Sequence, residues 1–190
     1  MFNYCPSCAS KKIVFKEGKV FHCPDCGFVY YHNIAAATGC IIHVPEADGE
    51  ISDRLSGRLI FLVRGKEPGI GKLDLPGGFV DIGEGVIEGL YRELKEEISW
   101  TPPVPEGSDL YRIFKLFASF SNVYEYKGIK YNTCDMYFSV TAPGLKPQDL
   151  CPEQAEISGI CFLKPEEIDF SRFAFPSTIK AVKKYLNIST

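Results

Sequence analysis

The sequence GFVDIGEGVIEGLYRELKEEISW, residues 78–100, concentrates acidic side chains on a predicted helix behind a glycine-rich turn. Successive helical residues are rotated by about 100°, so Glu93 and Glu97 share one face and Glu96 flanks them. The apolar residues of the segment form a single neighbouring stripe: Ile87, Leu90, Leu94 and Ile98. The pattern therefore predicts a helix over residues 86–98 with one buried side and one side of carboxylates.

The three carboxylates of this helix repel one another at spacings of three and four residues, which costs roughly a few tenths of a kcal/mol per pair. A divalent cation would relieve the repulsion. Mg²⁺ and Mn²⁺ prefer carboxylate oxygens and keep positions open for water and for the phosphate groups of a substrate. We therefore expect phosphate chemistry at this helix, and a solvent-exposed acidic face without a metal remains the alternative interpretation of the charges alone.

The spacing of the polar residues resembles the signature of the Nudix hydrolase family. Gly78 is followed by five residues, Glu84, seven residues, an Arg-Glu pair at 92–93, two residues and a Glu-Glu pair at 96–97. Ser99 stands where that signature has glycine, so the geometry of the helix exit is left open. The resemblance implies a fold of the α/β (α+β) class, an α/β/α sandwich around a mixed sheet.

The same resemblance implies roles for individual residues. Glu93 and Glu97 are expected to hold Mg²⁺ or Mn²⁺, and Glu96 is expected to hold a second metal ion or to orient water. Glu156, before a late strand, is the candidate for an additional metal ligand or base, ahead of Glu153 and Glu125. Arg92 is expected to pair with Glu84 or Glu93. The candidate ligands of the catalytic metal are thus Gly78, through its carbonyl, with Glu93, Glu96, Glu97 and Glu156.

Two Cys-x-x-Cys pairs near the N-terminus are separated by 14 residues. This spacing allows four thiolates to surround one tetrahedral Zn²⁺, and the intervening segment reads as a hairpin with a turn at Glu17-Gly18. The module resembles a zinc ribbon, which depends on its metal for much of its stability. A disulfide pair is the alternative. The predicted zinc ligands are Cys5, Cys8, Cys23 and Cys26.

The sequence is divided into a zinc ribbon over residues 1–33 and a Nudix domain over residues 34–190. Pro- and Gly-rich segments separate the predicted elements of the second domain, including a polar linker over residues 45–57. A closing helix is predicted over residues 176–186. Alternating or continuous apolar residues predict strands over 35–44, 58–64, 111–121, 129–140 and 156–163.

Three further residues are candidates for substrate binding. Arg64 ends a strand before the glycine-rich turn, where it could reach a phosphate or form an exposed ion pair. Asn122 and Tyr124 combine an amide with an aromatic ring, which suits a nucleobase, and an aromatic cluster of a hairpin is the alternative. The ribbon resembles that of Nudix enzymes that cleave NADH, but residues 119–124 depart from the segment typical of that subfamily.

The composition narrows the classes of function. A net charge of −3 and a pI near 5.7 argue against a general nucleic-acid-binding protein. Because no run of about 18 apolar residues occurs, we expect a cytoplasmic protein without a membrane span. The expected function is metal-dependent hydrolysis of a pyrophosphate bond in a nucleoside diphosphate derivative such as ADP-ribose or NADH. The alternative is a binding or regulatory protein whose ribbon contacts RNA or a protein; a homodimer is one candidate assembly.

Overall fold

The computed structural model of the chain describes residues 2–46 and 55–189, so residues 47–54 of the predicted polar linker lie outside the described residues. The chain forms two compact units, Met1–Ile34 and Ala35–Thr190. In the part of the chain that the structure describes, no helix combines the length and the apolar character needed to cross a membrane.

The first unit is a small antiparallel sheet of three strands in the order β1-β2-β3. The predicted hairpin is confirmed, with Glu17 and Gly18 both at positive φ in its turn. The third strand was not predicted from the sequence. Phe15 and Phe21 face each other across the β1–β2 pair, with ring centroids 4.4 Å apart. The strand bounds are β1 Val14–Lys16, β2 Val20–His22 and β3 Val29–Tyr31.

The second unit is built on a mixed sheet of six strands. The order is β6-β5-β4-β8-β7, and β9 pairs with β5. The β4–β8 pair is parallel and the other pairs are antiparallel. The bounds are β4 Ala35–Val44, β5 Arg58–Arg64, β6 Leu73–Asp74, β7 Lys115–Tyr126, β8 Ile129–Thr141 and β9 Ile157–Leu163.

Neighbouring strand residues point to opposite faces of this sheet, so each face carries its own apolar cluster. One helix packs on each cluster. Ile42 and Phe138 pack with the apolar stripe of α1, Val86–Ile98, on one face. Ile41 packs on the other face with α3, Pro176–Tyr185. The α/β/α expectation is therefore confirmed.

One predicted strand starts in the wrong place. Residues 111–113 belong to a short helix, α2 Leu110–Ile113, and β7 begins at Lys115. The side chain of Asp109 caps this helix by accepting a hydrogen bond from the Tyr111 N–H at 3.0 Å, and the local cap outweighs the strand preference of the aromatic residues. Strand β7 also continues to Tyr126, where Lys127 and Gly128 form the predicted hairpin turn, both at positive φ.

The exit of α1 takes a left-handed conformation although its residue is serine. Ser99 has φ 53° and ψ 29°, and its N–H donates to the Lys95 carbonyl at 3.1 Å. Glycine is favoured in this conformation because it lacks a Cβ, so Ser99 carries strain here. The chain therefore keeps the helix ending that the Nudix signature normally obtains from glycine.

Candidate active site

The carboxylate face of α1 is directed at the glycine-rich turn that precedes it. Ile87, Leu90, Leu94 and Ile98 are fully buried against the sheet, which fixes the rotation of the helix about its axis. Glu93 and Glu97 therefore face residues 77–78 of the turn. A Cβ built on Gly78 would lie 2.5 Å from Glu93 Oε1, so this carboxylate occupies space that any other residue would fill.

Glu97 is a buried carboxylate with one hydrogen-bond donor. Its Oε2 accepts from the Gly77 N–H at 2.8 Å, and among the described residues no cation pairs with it. Burial raises the pKa of Glu97 well above its usual range, and the nearby carboxylates of Glu93, Asp74 and Glu156 raise it further. A site that concentrates negative charge in this way is suited to a divalent cation.

The carbonyl oxygen of Gly78 is bound to β4 by two hydrogen bonds from Thr38. It accepts from the backbone N–H of Thr38 at 2.8 Å and from the Thr38 hydroxyl at 3.4 Å. These contacts hold the turn against β4 beside the Glu93 carboxylate. With the carboxylates of Glu93 and Glu97, the turn presents an all-oxygen donor set, which is what Mg²⁺ and Mn²⁺ require.

Arg92 ties several acidic groups together behind the cavity. Its guanidinium binds Glu84 through two nitrogens, at 2.7 and 3.0 Å. Its Nη1 donates to Glu93 at 2.8 Å and to Glu96 at 2.9 Å, and its Nη2 donates to the Phe79 carbonyl at 3.0 Å. The predicted pairing with Glu84 or Glu93 thus occurs with both. The hydrogen bonds from Arg92 lower the pKa of Glu84.

These side chains open onto one cavity of about 520 Å³. The structure brings together there the predicted site residues of the second unit, except Arg92, which lies behind the wall, and the reserve candidate Glu125, which lines a neighbouring cavity instead. The predicted residues that line the cavity are Arg64, Gly78, Glu93, Glu96, Glu97, Asn122, Tyr124 and Glu156. The sequence interpretation missed several others, among them Lys66, Asp74, Phe79, Asp135 and Phe175.

Arg64 forms an ion pair, but a mostly buried one. Its Nη1 lies 3.0 Å from Asp74 Oδ2, and the two side chains are only 14% and 16% exposed. Its Nε donates to the Pro68 carbonyl at 2.6 Å, and the guanidinium stacks 5.1 Å from the centroid of Phe175. Burial raises the pKa of Asp74, and the charge of Arg64 opposes that shift.

The floor of the cavity is a buried polar group. Asp135, on β8, accepts hydrogen bonds from the Thr133 hydroxyl at 2.5 Å and from the Ser177 hydroxyl at 2.7 Å. The Tyr137 hydroxyl lies 3.4 Å from the same carboxylate, and burial raises the pKa of Tyr137. Side chains alternate along β8, since Thr133, Asp135 and Tyr137 line the cavity while Phe138 packs under α1.

An aromatic wall lines the same cavity as the carboxylates. Tyr124 lies between Phe79 and Phe175, with ring centroids 5.4 and 5.7 Å away. Phe79 follows Gly78 directly, so the aromatic wall begins one residue from the acidic turn. Asn122, two residues before Tyr124 on β7, lines the same cavity.

Glu156 and Lys66 form an ion pair at the cavity edge. The backbone beneath them is joined by a 2.6 Å hydrogen bond from the Gly65 N–H to the Glu156 carbonyl. Glu153 also lines the cavity, and its carboxylate accepts from the Glu156 N–H at 2.9 Å. Lys66 therefore brings a cation to the residue that was predicted as a base or metal ligand.

The four N-terminal cysteines converge in the first unit. Their sulfur atoms all lie within 4.8 Å of one another, and no other group of three or more His, Cys, Asp or Glu side chains in the described ranges is so close. The Cys5–Cys26 and Cys8–Cys23 sulfur distances are 3.6 and 3.7 Å. Zn–S bonds of about 2.3 Å in a tetrahedron place sulfurs about 3.8 Å apart, so the cluster is compatible with zinc.

The two knuckles of this cluster have matching backbone geometry. Cys5 and Cys23 each accept a hydrogen bond at their carbonyl from the residue four positions later, Ala9 at 2.8 Å and Gly27 at 2.9 Å. Both of these later residues have positive φ. The repeated turn therefore directs both pairs of thiols toward one point.

Comparison with known proteins agrees with this architecture. The NUDIX domain family model matches residues 39–184, and the chain belongs to the NUDIX family. The resemblance inferred from residues 78–100 is thereby confirmed. The chain is also 30% identical over 96 residues to the NAD-capped RNA hydrolase NudC of Chromobacterium violaceum. That match covers 50% of this chain and 32% of the relative, so the chain spans about a third of the length of the curated protein it matches.

Solved structures show the same fold at low sequence identity. A NUDIX hydrolase from Nitrosomonas europaea has a TM-score of 0.64 at 23% identity, covering 98% of this chain and 91% of its own. The NUDIX domain of NrtR from Shewanella oneidensis, complexed with ADP ribose, has a TM-score of 0.59 at 13% identity, covering 86% and 90%. A C. elegans Ap4A hydrolase in a binary complex has a TM-score of 0.55 at 18% identity, covering 80% and 95%.

Proposed function

We propose that the protein catalyses the metal-dependent hydrolysis of a pyrophosphate bond in a nucleoside diphosphate derivative. The observation that carries this proposal is the state of Glu97, a buried carboxylate with one backbone donor and no cationic partner among the described residues. Desolvating an unpaired carboxylate is costly, and a bound divalent cation removes that cost. NUDIX family membership and the NudC relative support the same reaction class.

The metal site would be formed by the carboxylates of Glu93 and Glu97 with the Gly78 carbonyl, and Glu156 would either complete it or act as the base. Glu96 would hold a second ion or orient water. A bound Mg²⁺ or Mn²⁺ supplies charge neutralisation for the phosphates and acidifies water. Arg92 is a positioning residue in this proposal, since its hydrogen bonds fix the directions of Glu93 and Glu96.

The chemical step is attack of a water oxygen on one phosphorus of the pyrophosphate. Glu156 or Glu96 accepts the proton of that water, the bond from phosphorus to the bridging oxygen breaks, and two phosphate monoesters leave. Both glutamates line the cavity, and Glu156 is half-exposed, so it can reach a bound water. The protein contributes mainly by positioning and by fixed charge.

We infer the substrate class from the aromatic wall of the cavity. Tyr124 offers a ring between two other aromatic rings, and Asn122 offers an amide that can hydrogen-bond to a nucleobase. Derivatives such as ADP-ribose or NADH carry both a base and a pyrophosphate, which suits a cavity lined by aromatic rings and by carboxylates. The NrtR domain complexed with ADP ribose and the NudC relative make these two compounds the first to test. Arg64 stays a candidate phosphate ligand, and its contacts favour a role in holding Asp74 and Phe175.

The test is hydrolysis of ADP-ribose, NADH, dinucleoside polyphosphates and nucleoside triphosphates with Mg²⁺ or Mn²⁺. Glu97→Gln should lower kcat by about a hundredfold or more while the thermal melt and the zinc content stay unchanged. Glu88→Gln, on the first turn of the same helix and outside the cavity lining, is the matched control and should retain activity. An active Glu97→Gln variant, or wild-type protein inactive on the whole panel, would contradict the proposal.

The remaining assignments are proposals of the same kind. We infer a structural Zn²⁺ at Cys5, Cys8, Cys23 and Cys26, and a division into a ribbon over residues 1–33 and a hydrolase domain over residues 34–190. The cytoplasmic location and the homodimer stay predictions. Binding of ADP-ribose without turnover would favour the alternative, a regulatory protein that uses its ribbon to contact RNA or a protein.

A further inference from the structure

Two cations, Arg64 and Lys66, line the candidate active site. The guanidinium of Arg64 is held by protein contacts, since it binds Asp74 and the Pro68 carbonyl and stacks on Phe175. Turning it toward a substrate would leave the carboxylate of Asp74 buried without its cation, which is strongly unfavourable. A contact between Arg64 and a phosphate would therefore cost the contacts that hold this wall of the cavity.

Lys66 has the opposite properties. Among the described residues its ammonium has one charged partner, Glu156, and both side chains are 44% exposed. An ion pair in contact with solvent is weak, so the partners can exchange at small cost. A lysine ammonium on its flexible stem can also reorient more readily than a stacked guanidinium. Lys66 further lines a neighbouring cavity of about 660 Å³, beside Pro68 and the hairpin turn at Lys127.

The backbone holds Lys66 and Glu156 opposite each other. Ser158 donates its hydroxyl to the Val63 carbonyl at 3.2 Å, next to the register shift between β5 and β9. A Cβ on Gly65 would lie 3.0 Å from the Glu156 carbonyl oxygen, so the two segments touch. Because the two backbone segments touch, both side chains start from neighbouring positions at the same cavity.

We propose that Lys66 is the counter-ion of Glu156 in the metal-free protein and the cation that binds the substrate pyrophosphate once Glu156 turns to the divalent metal. This inference rests on the proposed function, because it takes Glu156 as a metal ligand. It assigns to Lys66 two alternating partners, a carboxylate of the protein and a non-bridging phosphate oxygen of the substrate. Lys66 thereby couples metal occupancy to nucleotide binding.

The first experiment measures Mn²⁺ affinity without nucleotide, by calorimetry and by the electron paramagnetic resonance signal of free Mn²⁺. Lys66→Met removes the competitor for Glu156 and should tighten Mn²⁺ binding by about threefold or more. In the Glu156→Gln background the same substitution should change Mn²⁺ affinity little. Lys72→Met, which removes an exposed lysine of the same turn outside both cavities, should leave it unchanged.

The second experiment measures binding of α,β-methylene ADP-ribose, which resists hydrolysis, in the presence of Mg²⁺. Lys66→Met should weaken this binding by about tenfold or more, because a charge-assisted hydrogen bond to phosphate is lost. Lys66→Arg should retain most of the affinity, and Lys72→Met all of it. In turnover, the same loss should appear mainly in KM.

The outcomes separate this inference from the proposed function. If Lys66→Met changes Mn²⁺ affinity equally in the wild-type and the Glu156→Gln backgrounds, the lysine acts only through its charge at a distance. That result would overturn the exchange of partners. Unchanged affinity for the methylene analogue would overturn the phosphate contact. If wild-type protein binds Mn²⁺ and the analogue as described but hydrolyses no substrate, the proposed function fails while the inference about Lys66 stands. If it binds neither, both fail.

Discussion

Replacing Gly78 with alanine should damage the reaction far more than the fold. The new Cβ would lie 2.5 Å from Glu93 Oε1, whereas a carbon–oxygen contact needs about 3.4 Å, so the carboxylate must shift by about 0.9 Å. Gly78 does not have a positive φ, and the displaced atom is the end of a side chain, so the backbone tolerates alanine. The cost therefore falls on the position of the Glu93 carboxylate.

A displacement of about 1 Å in a catalytic group typically lowers the rate by about a hundredfold, or about 2.7 kcal/mol in activation free energy. We expect Gly78→Ala to lower kcat with ADP-ribose or the best substrate of the panel by that factor. Mn²⁺ affinity should fall in parallel. The thermal midpoint should stay within about 2 °C of wild type, since no buried contact is removed.

Gly159→Ala is the matched control for this substitution. Gly159 lies on β9, and a Cβ there would meet Val63 at 3.7 Å, an ordinary contact. This variant should keep both activity and stability. Wild-type turnover in Gly78→Ala would refute the placement of the metal site between the turn and Glu93. A large loss of stability would show that the turn, and not the carboxylate, absorbs the clash.

Two further predictions concern the helix exit and the ribbon. Ser99→Gly should raise the free energy of unfolding by about 1 kcal/mol, because glycine adopts the left-handed conformation of the α1 exit without strain; an unchanged or lower denaturation midpoint in urea would contradict the strain. Chelation of zinc should unfold residues 1–34 while residues 35–190 stay folded, because a structural zinc site supplies about 10–16 kcal/mol to so small a unit. Limited proteolysis followed by mass spectrometry would detect cleavage confined to the ribbon, and an unchanged digestion pattern would argue against the metal.

The sequence alone predicted the elements whose signals are local. The helix over Val86–Ile98 follows from its apolar period, and its acidic face follows from the spacing of the glutamates. The cysteine cluster follows from two pairs at a fixed separation. The alternation of apolar and polar residues likewise predicted a strand over residues 129–140, which is β8.

The start of β7 was mispredicted because a single capping residue, rather than the pattern of side chains, decides the local structure there. The capping carboxylate of Asp109 turns residues 110–113 into a helix, although their aromatic and β-branched side chains favour a strand. In the ribbon, strand β3 is only three residues long and has no buried residue, so no alternation marked it. Short elements of this kind depend on their neighbours more than on their own sequence.

Only the tertiary structure decided which charges meet. The sequence identified the glutamates of α1 as candidate metal ligands. It could not tell that Glu97 is buried with no cationic partner in the described part of the chain, while Glu93 and Glu96 share Arg92. It offered Arg64 for a phosphate or an exposed ion pair and overlooked Lys66. The pairing of Arg64 with Asp74 and of Lys66 with Glu156 depends on how β5, β6 and β9 lie side by side. Charge pairing acts through space over a few ångströms, and the sequence separation of the partners carries no signal of it.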